Sequence, residues 1–139
     1  MKKIFKLTLL LFFISNPLFG KNQYFQSGLD LFNNKKFVEA KFKFEQEIVS
    51  NPKSELSYLY LSKIFKKLDK KDLQEQNLNT VILLNPKNEE ATFNLAKLKL
   101  DSSDYKKSKE LNERLNSFCN NLCNESKKLK KEIENLSKK

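Results

Sequence analysis

The sequence predicts an all-α chain: a row of helical hairpins with one further helix after the last. Three observations predict it. The turn Asn-Pro-Lys at residues 51–53 returns at 85–87, which is 34 positions later, each time after an apolar tail and before an acidic residue. Only 2 Gly and 3 Pro occur in 139 residues, too little punctuation for a many-stranded β fold. Apolar residues recur at three- and four-residue intervals on both sides of each turn, the spacing of helix faces. The length suits one domain, and 39% hydrophobic with 32% charged residues suits helices around a modest core.

The first element is residues 1–20, MKKIFKLTLLLFFISNPLFG. Lys2, Lys3 and Lys6 precede a short apolar run at 7–14, and Ser15, Asn16 and Pro17 break it before Gly20. This order is that of a secretory signal peptide, with an uncleaved amphipathic start helix as the other reading. The run is well short of the ~20 residues of a spanning helix. No Cys follows it, which disfavours a lipid anchor. The expected destination is the periplasm or cell envelope of a bacterium. Removing residues 1–20 takes away three lysines and no acid, leaving 24 basic against 17 acidic residues, a net charge of +7.

The 34-residue ruler divides the rest into 21–54, 55–88 and 89–122, with a remainder at 123–139. In the first unit, Tyr24, Phe25, Gly28, Leu31 and Phe32 share one helical face, and Phe37, Ala40, Phe44 and Ile48 share a second after "NNKK". In the second, Tyr58, Leu61, Phe65 and Leu68 precede "DKK", and Leu73, Leu78, Val81 and Ile82 follow it. In the third, Phe93, Ala96 and Leu100 precede "DSSD", and Tyr105, Ser108, Leu111 and Leu115 follow. Small residues recur at Gly28, Ser62 and Ala96, where two helix backbones must approach closely. The residue before each Pro is pushed out of the α region, so Asn-Pro stops a helix. Ser54 and Asn88 then stand where a side chain can cap the next one. Glu55, Glu89 and Glu90 place negative charge at its positive end.

With these residues in place, 21–122 resembles the tetratricopeptide repeat (TPR) family, most fully in "YFQSGLDLFNNKKFVEAKFKFEQEIVSNP". The resemblance implies a right-handed α-solenoid of about three helix–turn–helix units, at 21–54, 55–88 and 89–122. A plain antiparallel bundle is the competing architecture. The pattern departs at Lys71, Gln74, Thr92 and Asn120. The tail 118–139 carries a narrow apolar stripe, Leu122, Leu129, Ile133 and Leu136, on an otherwise charged helix, and its residues 123–139 suit the terminal cap that a repeat array needs.

Cys119 and Cys123 are the only cysteines. An even count in an exported chain favours a disulfide between them, ahead of two free thiols or metal chemistry. Zero His removes Ser-His-Asp and Cys-His nucleophile activation, and there is no Gly-rich phosphate loop. The carboxylate pairs, Glu45 with Glu47 and Glu89 with Glu90, are expected on solvated helix faces. No enzyme, cofactor or metal site is expected, and no small-molecule substrate. Arg114 is the one arginine, so the forked guanidinium that reads bases is nearly absent and nucleic acid is not expected as a partner.

The expected function is therefore an exported scaffold or adaptor. In proteins with this resemblance, the concave side, lined by the first helix of each unit, commonly grips a peptide or a helix of a partner protein. Here its candidates are Phe25, Leu29, Phe32 and Asn33, then Leu59, Lys63, Lys66 and Lys67, then Phe93, Lys97 and Leu100. They suit a segment with apolar anchors and an acidic feature. Phe25 and Leu29 stand where the carboxylate-clamp variant of the repeat carries Lys and Asn, so that variant is not reproduced. The alternatives are an oligomer joined through the stripe of the last helix and a basic, peripherally membrane-associated protein.

Overall fold

The computed structural model describes residues 23–138, and the expected signal peptide lies outside them. Seven helices follow one another: α1 (Gln23–Asn33), α2 (Phe37–Ser50), α3 (Glu55–Lys67), α4 (Lys71–Leu84), α5 (Glu89–Asp101), α6 (Tyr105–Phe118) and α7 (Cys123–Leu136). Among the described residues there is no strand. Each helix packs on its neighbours in sequence, as in a solenoid. The pairs α1–α2, α3–α4 and α5–α6 form the three hairpins, and α7 closes the row.

The hairpins turn by a device that composition hides. Lys35, Asp69 and Ser103, spaced by the 34-residue period, take left-handed φ angles of 60°, 52° and 60°. The next amide in each case reaches back five residues: Lys36 N–H to the Leu31 carbonyl, Lys70 to Phe65 and Asp104 to Lys99, each at 2.9 Å. This is the wrap that ends helices on glycine elsewhere, built here without one.

Between hairpins, the second helix ends where Asn51 and Asn85 donate their N–H groups to the carbonyls of Glu47 and Val81. The proline that follows cannot continue the helix. Asn88 then caps α5, its Oδ1 accepting from the Ala91 N–H at 2.7 Å. Ser54 departs from the expectation: its hydroxyl lies 2.8 Å from that of Ser57 and caps no amide of α3. Asp104 supplies an unexpected cap, accepting from the Lys107 N–H at 3.0 Å.

The leading glutamates do more than face a helix dipole. Glu55 Oε1 accepts from the side-chain amides of Asn85 and Asn88, one turn further along the array. One period later, Glu89 accepts the backbone N–H groups of Asn120, Asn121 and Leu122 at 2.8–2.9 Å. α3 and α5 thus each tie down the turn that starts the next first helix or the closing α7. The Leu122 N–H above all, with help from those of Asn120 and Asn121, holds the Glu89 carboxyl below its ordinary value of 4.5, against a smaller opposing push from burial.

The core divides in two along the row. Ala40, Phe44, Leu61, Ile64 and Phe65 join the first hairpin to the second. Leu78, Val81, Leu95, Leu98 and Leu111 join the second to the third, and Leu129 and Ile133 of α7 complete this cluster. Those two side chains are 2% and 3% exposed, so the stripe expected to join a second chain is already spent inside this one. Asn112, where the repeat pattern would carry a large apolar residue, donates to the Ser126 carbonyl and accepts from its hydroxyl, both at 3.0 Å. That reciprocal pair fixes how α7 lies on α6. Cys119 and Cys123 are bonded across the turn before α7, their Cα atoms 5.3 Å apart.

Candidate functional site: the inner face of the first helices

Four contacts place the first helices side by side with α7 after them. Phe25 and Phe32 of α1 meet Tyr60 of α3 at ring separations of 5.9 and 5.1 Å. Lys63 of α3 pairs with Glu90 of α5 at 2.8 Å. Lys97 of α5 pairs with Glu132 of α7 at 3.4 Å. In a solenoid this shared face is the concave one.

The residues that look into it follow the helical spacing i, i+4, i+7, i+11. In α3 they are Leu56, Tyr60, Lys63 and Lys67, exposed or half-buried on the side away from buried Ser57, Leu61 and Ile64. One period earlier this register contains Leu29 and Asn33, and one period later Glu90, Asn94 and Lys97. The sequence expectation ran through the neighbouring positions as well, and there the structure differs. Leu59 and Leu100 are each only 4% exposed and belong to the core, because the adjacent helices cover their side of α3 and α5. Phe25, Phe32 and Phe93 are half-buried, their outer edges forming part of the face. Leu29, also half-buried, and exposed Asn33, Lys66 and Lys67 are open to solvent.

Tyr60 is the central residue that sequence reasoning missed. Its ring stacks on Phe44 at 5.1 Å, is met edge-on by Phe32 and Phe25, and has the Lys63 ammonium 4.7 Å above it. Leu56, Glu90 and Asn94 were missed with it. The signal that could have found them was the 56/60/63/67 spacing, which separates one side of α3 from the buried 57/61/64 side. Lys63 and Lys97 were expected as free positive charge, but each is matched by an acid on the next helix. Lys67 makes no ion pair among the described residues.

Further along, a recess of about 590 Å³ opens between the start of α5 and the turn before α7. Phe93 and Leu122 give it an apolar floor, and Glu90, Asn94, Asn121 and Lys87 a polar rim. Nothing at this site gathers acid–base groups. Glu89 is saturated by backbone amides, and Glu90 by Lys63. Among the described residues no three His, Cys, Asp or Glu side chains gather to hold a metal ion. One carboxylate departs from the solvated faces expected of them: Glu47 is buried and takes a 3.3 Å hydrogen bond from Asn51 Nδ2.

Solved structures share this architecture. The TPR2B domain of yeast Sti1 in its pHsp70 complex superposes with a TM-score of 0.76 at 14% identity, over 84% of this chain and 97% of that one. The first TPR domain of Spaghetti (RPAP3), bound to the HSP90 peptide SRMEEVD, gives 0.74 at 16% identity, over 88% and 99%. The Yersinia enterocolitica type III secretion chaperone SycD, with a peptide of the translocator YopD, gives 0.74 at 15%, over 85% and 94%. No protein-family model and no curated protein matches the sequence. The chain has the tetratricopeptide-repeat fold, an all-α solenoid of helical hairpins.

Proposed function

We propose that the chain is an exported, non-enzymatic scaffold that holds a segment of a partner protein along the inner face of α1, α3 and α5. The observation that carries this reading is the uninterrupted face itself. An aromatic floor around Tyr60 and the recess at Phe93 and Leu122 lie in one line, with no acid–base constellation between them. Apolar side chains of the partner would rest on Leu29, Leu56 and Tyr60. Its acidic groups would meet Lys67, since Lys63 and Lys97 are already paired. Solved neighbours in which the same fold holds a peptide of HSP90 or of YopD, or is complexed with pHsp70, support the choice of a peptide-like ligand. Export is supported by the leader-like residues 1–20 and by the Cys119–Cys123 bridge, which suits an oxidising compartment.

Capture of crosslinked partners from native envelopes tests the reading. Leu56→Glu and Lys67→Glu alter exposed side chains of the face, and both are expected to lose partners that the wild-type chain retains. Capture of the same partners by both variants would refute the assignment of the face. Fractionation tests export separately: recovery of the chain only from the cytoplasm, with both thiols open to alkylation, would refute it.

A further inference from the structure

The opposite side of the first hairpin carries an apolar stripe that the fold does not require. Val38, Phe42 and Val49 of α2 are 65%, 58% and 84% exposed. They fall within a narrow sector of the helix, on the side away from buried Ala40, Phe44 and Glu47. The equivalent positions are Asp72, Gln76 and Leu83 in α4, and Lys106, Glu110 and Ser117 in α6. The later hairpins hold the same fold with mostly polar residues there, so the stripe is particular to α2.

Charge follows the same gradient. Exposed Lys35 and Lys36 precede the stripe and exposed Lys53 follows it. One period on, the first two become Asp69 and Lys70, and then Ser103 and Asp104. The third becomes Lys87 and then Asn121. On α2 the acids of this face are exposed Glu39, at its border, and half-buried Glu45, which falls in the stripe between Phe42 and Val49 and is held by Lys41 at 2.9 Å. From these observations we infer that the outer face of α2 docks on an anionic lipid surface, Phe42 and the two valines entering the headgroup boundary while Lys35, Lys36 and Lys53 meet lipid phosphates.

The size of the stripe argues against a second copy of the chain as the occupant. Three partly exposed side chains fall well short of the roughly 800 Å² per partner in a stable protein interface. A lipid surface makes no such demand, because a few inserted side chains and several lysines act together. No described helix is long and apolar enough to cross a membrane, so the contact is peripheral. The inner face points the other way and stays open while α2 is docked. The inference stands apart from the identity of any groove partner.

The test uses the full chain with an environment-sensitive fluorescent amino acid in place of Val49, and in a second protein in place of Lys67. Vesicles contain phosphatidylglycerol or phosphatidylcholine alone, with quencher-labelled acyl chains. Because the readout is local, membrane binding by residues 1–20 does not imitate it. The expected result is quenching at position 49 but not at 67, only with the anionic lipid, and weakened by salt. Phe42→Glu is expected to lower the affinity of this contact about tenfold. Equal quenching at both positions, or none at 49, overturns the inference, as does an unchanged affinity in Phe42→Glu. A concentration-dependent mass that Phe42→Glu abolishes without lipid would assign the stripe to a protein contact and overturn it as well.

Discussion

A single methyl group added at Gly28 tests how tightly the first hairpin closes. An ideal Cβ there would stand 2.9, 3.0 and 3.1 Å from Cε1, Cδ1 and Cζ of Phe44. Carbon atoms prefer about 3.5 Å or more, so the ring would have to retreat by roughly 0.6 Å. It has nowhere to go: Phe44 is fully buried, stacked on Tyr60 at 5.1 Å and packed on Phe25 at 5.6 Å. Overpacking of this kind costs about 1–3 kcal/mol, whereas Ala gains about 1 kcal/mol over Gly within a helix. The clash should win, and Gly28→Ala should destabilise by about 1 kcal/mol. The period supplies the control. Positions 28 and 44 correspond to Ser62 with Leu78 and to Ala96 with Asn112, so the units with a smaller residue in place of Phe44 do carry a Cβ. In a Phe44→Leu background, Gly28→Ala should therefore turn neutral or stabilising, a coupling of about 1–3 kcal/mol in a double-mutant cycle. Urea unfolding followed by circular dichroism, with hydrogen exchange of α1 and α2, measures both. A Gly28→Ala protein as stable as the parent, or equal effects in the two backgrounds, would refute the steric argument.

Other substitutions probe the turns and ties. Lys35 holds a left-handed conformation that costs a side-chain-bearing residue about 1 kcal/mol, so Lys35→Gly should stabilise by up to about 1 kcal/mol in thermal unfolding. A loss of stability would show that the turn is not strained. Asn88→Ala removes both the cap on α5 and a ligand of Glu55 and should cost about 1–2 kcal/mol; Ser54→Ala, which caps no amide, should cost about 0.5 kcal/mol or less. Equal losses in the two would contradict the cap assignment. The Glu89 carboxyl titrates below its ordinary value when folded, so its contribution is present above about pH 4.5 and fades as pH falls through the folded value. The stability gap between wild type and Glu89→Gln should therefore narrow below pH 4.5, and a constant gap down to acid unfolding would rule this out. Reducing the Cys119–Cys123 bridge opens a loop of only a few residues and should cost less than about 3 kcal/mol, felt mainly as faster hydrogen exchange in α7. Uniform loosening of the whole chain would disprove so local a role.

Much of the architecture is local chemistry, legible in the sequence. Proline after Asn51 and Asn85 stops a helix whatever surrounds it. Asn88 carries its capping oxygen with it, and apolar spacing marks the stripe of each rod. The 34-residue period states that these hairpins repeat, and a rod with one greasy side must lay it on a neighbour. From the sequence alone follow the helices of residues 23–136 and their order; it favours a bond between Cys119 and Cys123, and the structure closes it.

Which side of each first helix faces inward was decided only by packing between units. Leu59 and Tyr60 are adjacent apolar residues with the same local credentials; the neighbouring helices bury one and leave the other to floor the face. Lys63 and Lys97 are ordinary helix lysines until Glu90 and Glu132 come within reach. Asn112 reads as a break in the pattern until Ser126 satisfies it. In each case the deciding partner lies on another helix, brought there by the tilt between hairpins. Tilt is a sum of many side-chain contacts, and no single stretch of chain encodes it.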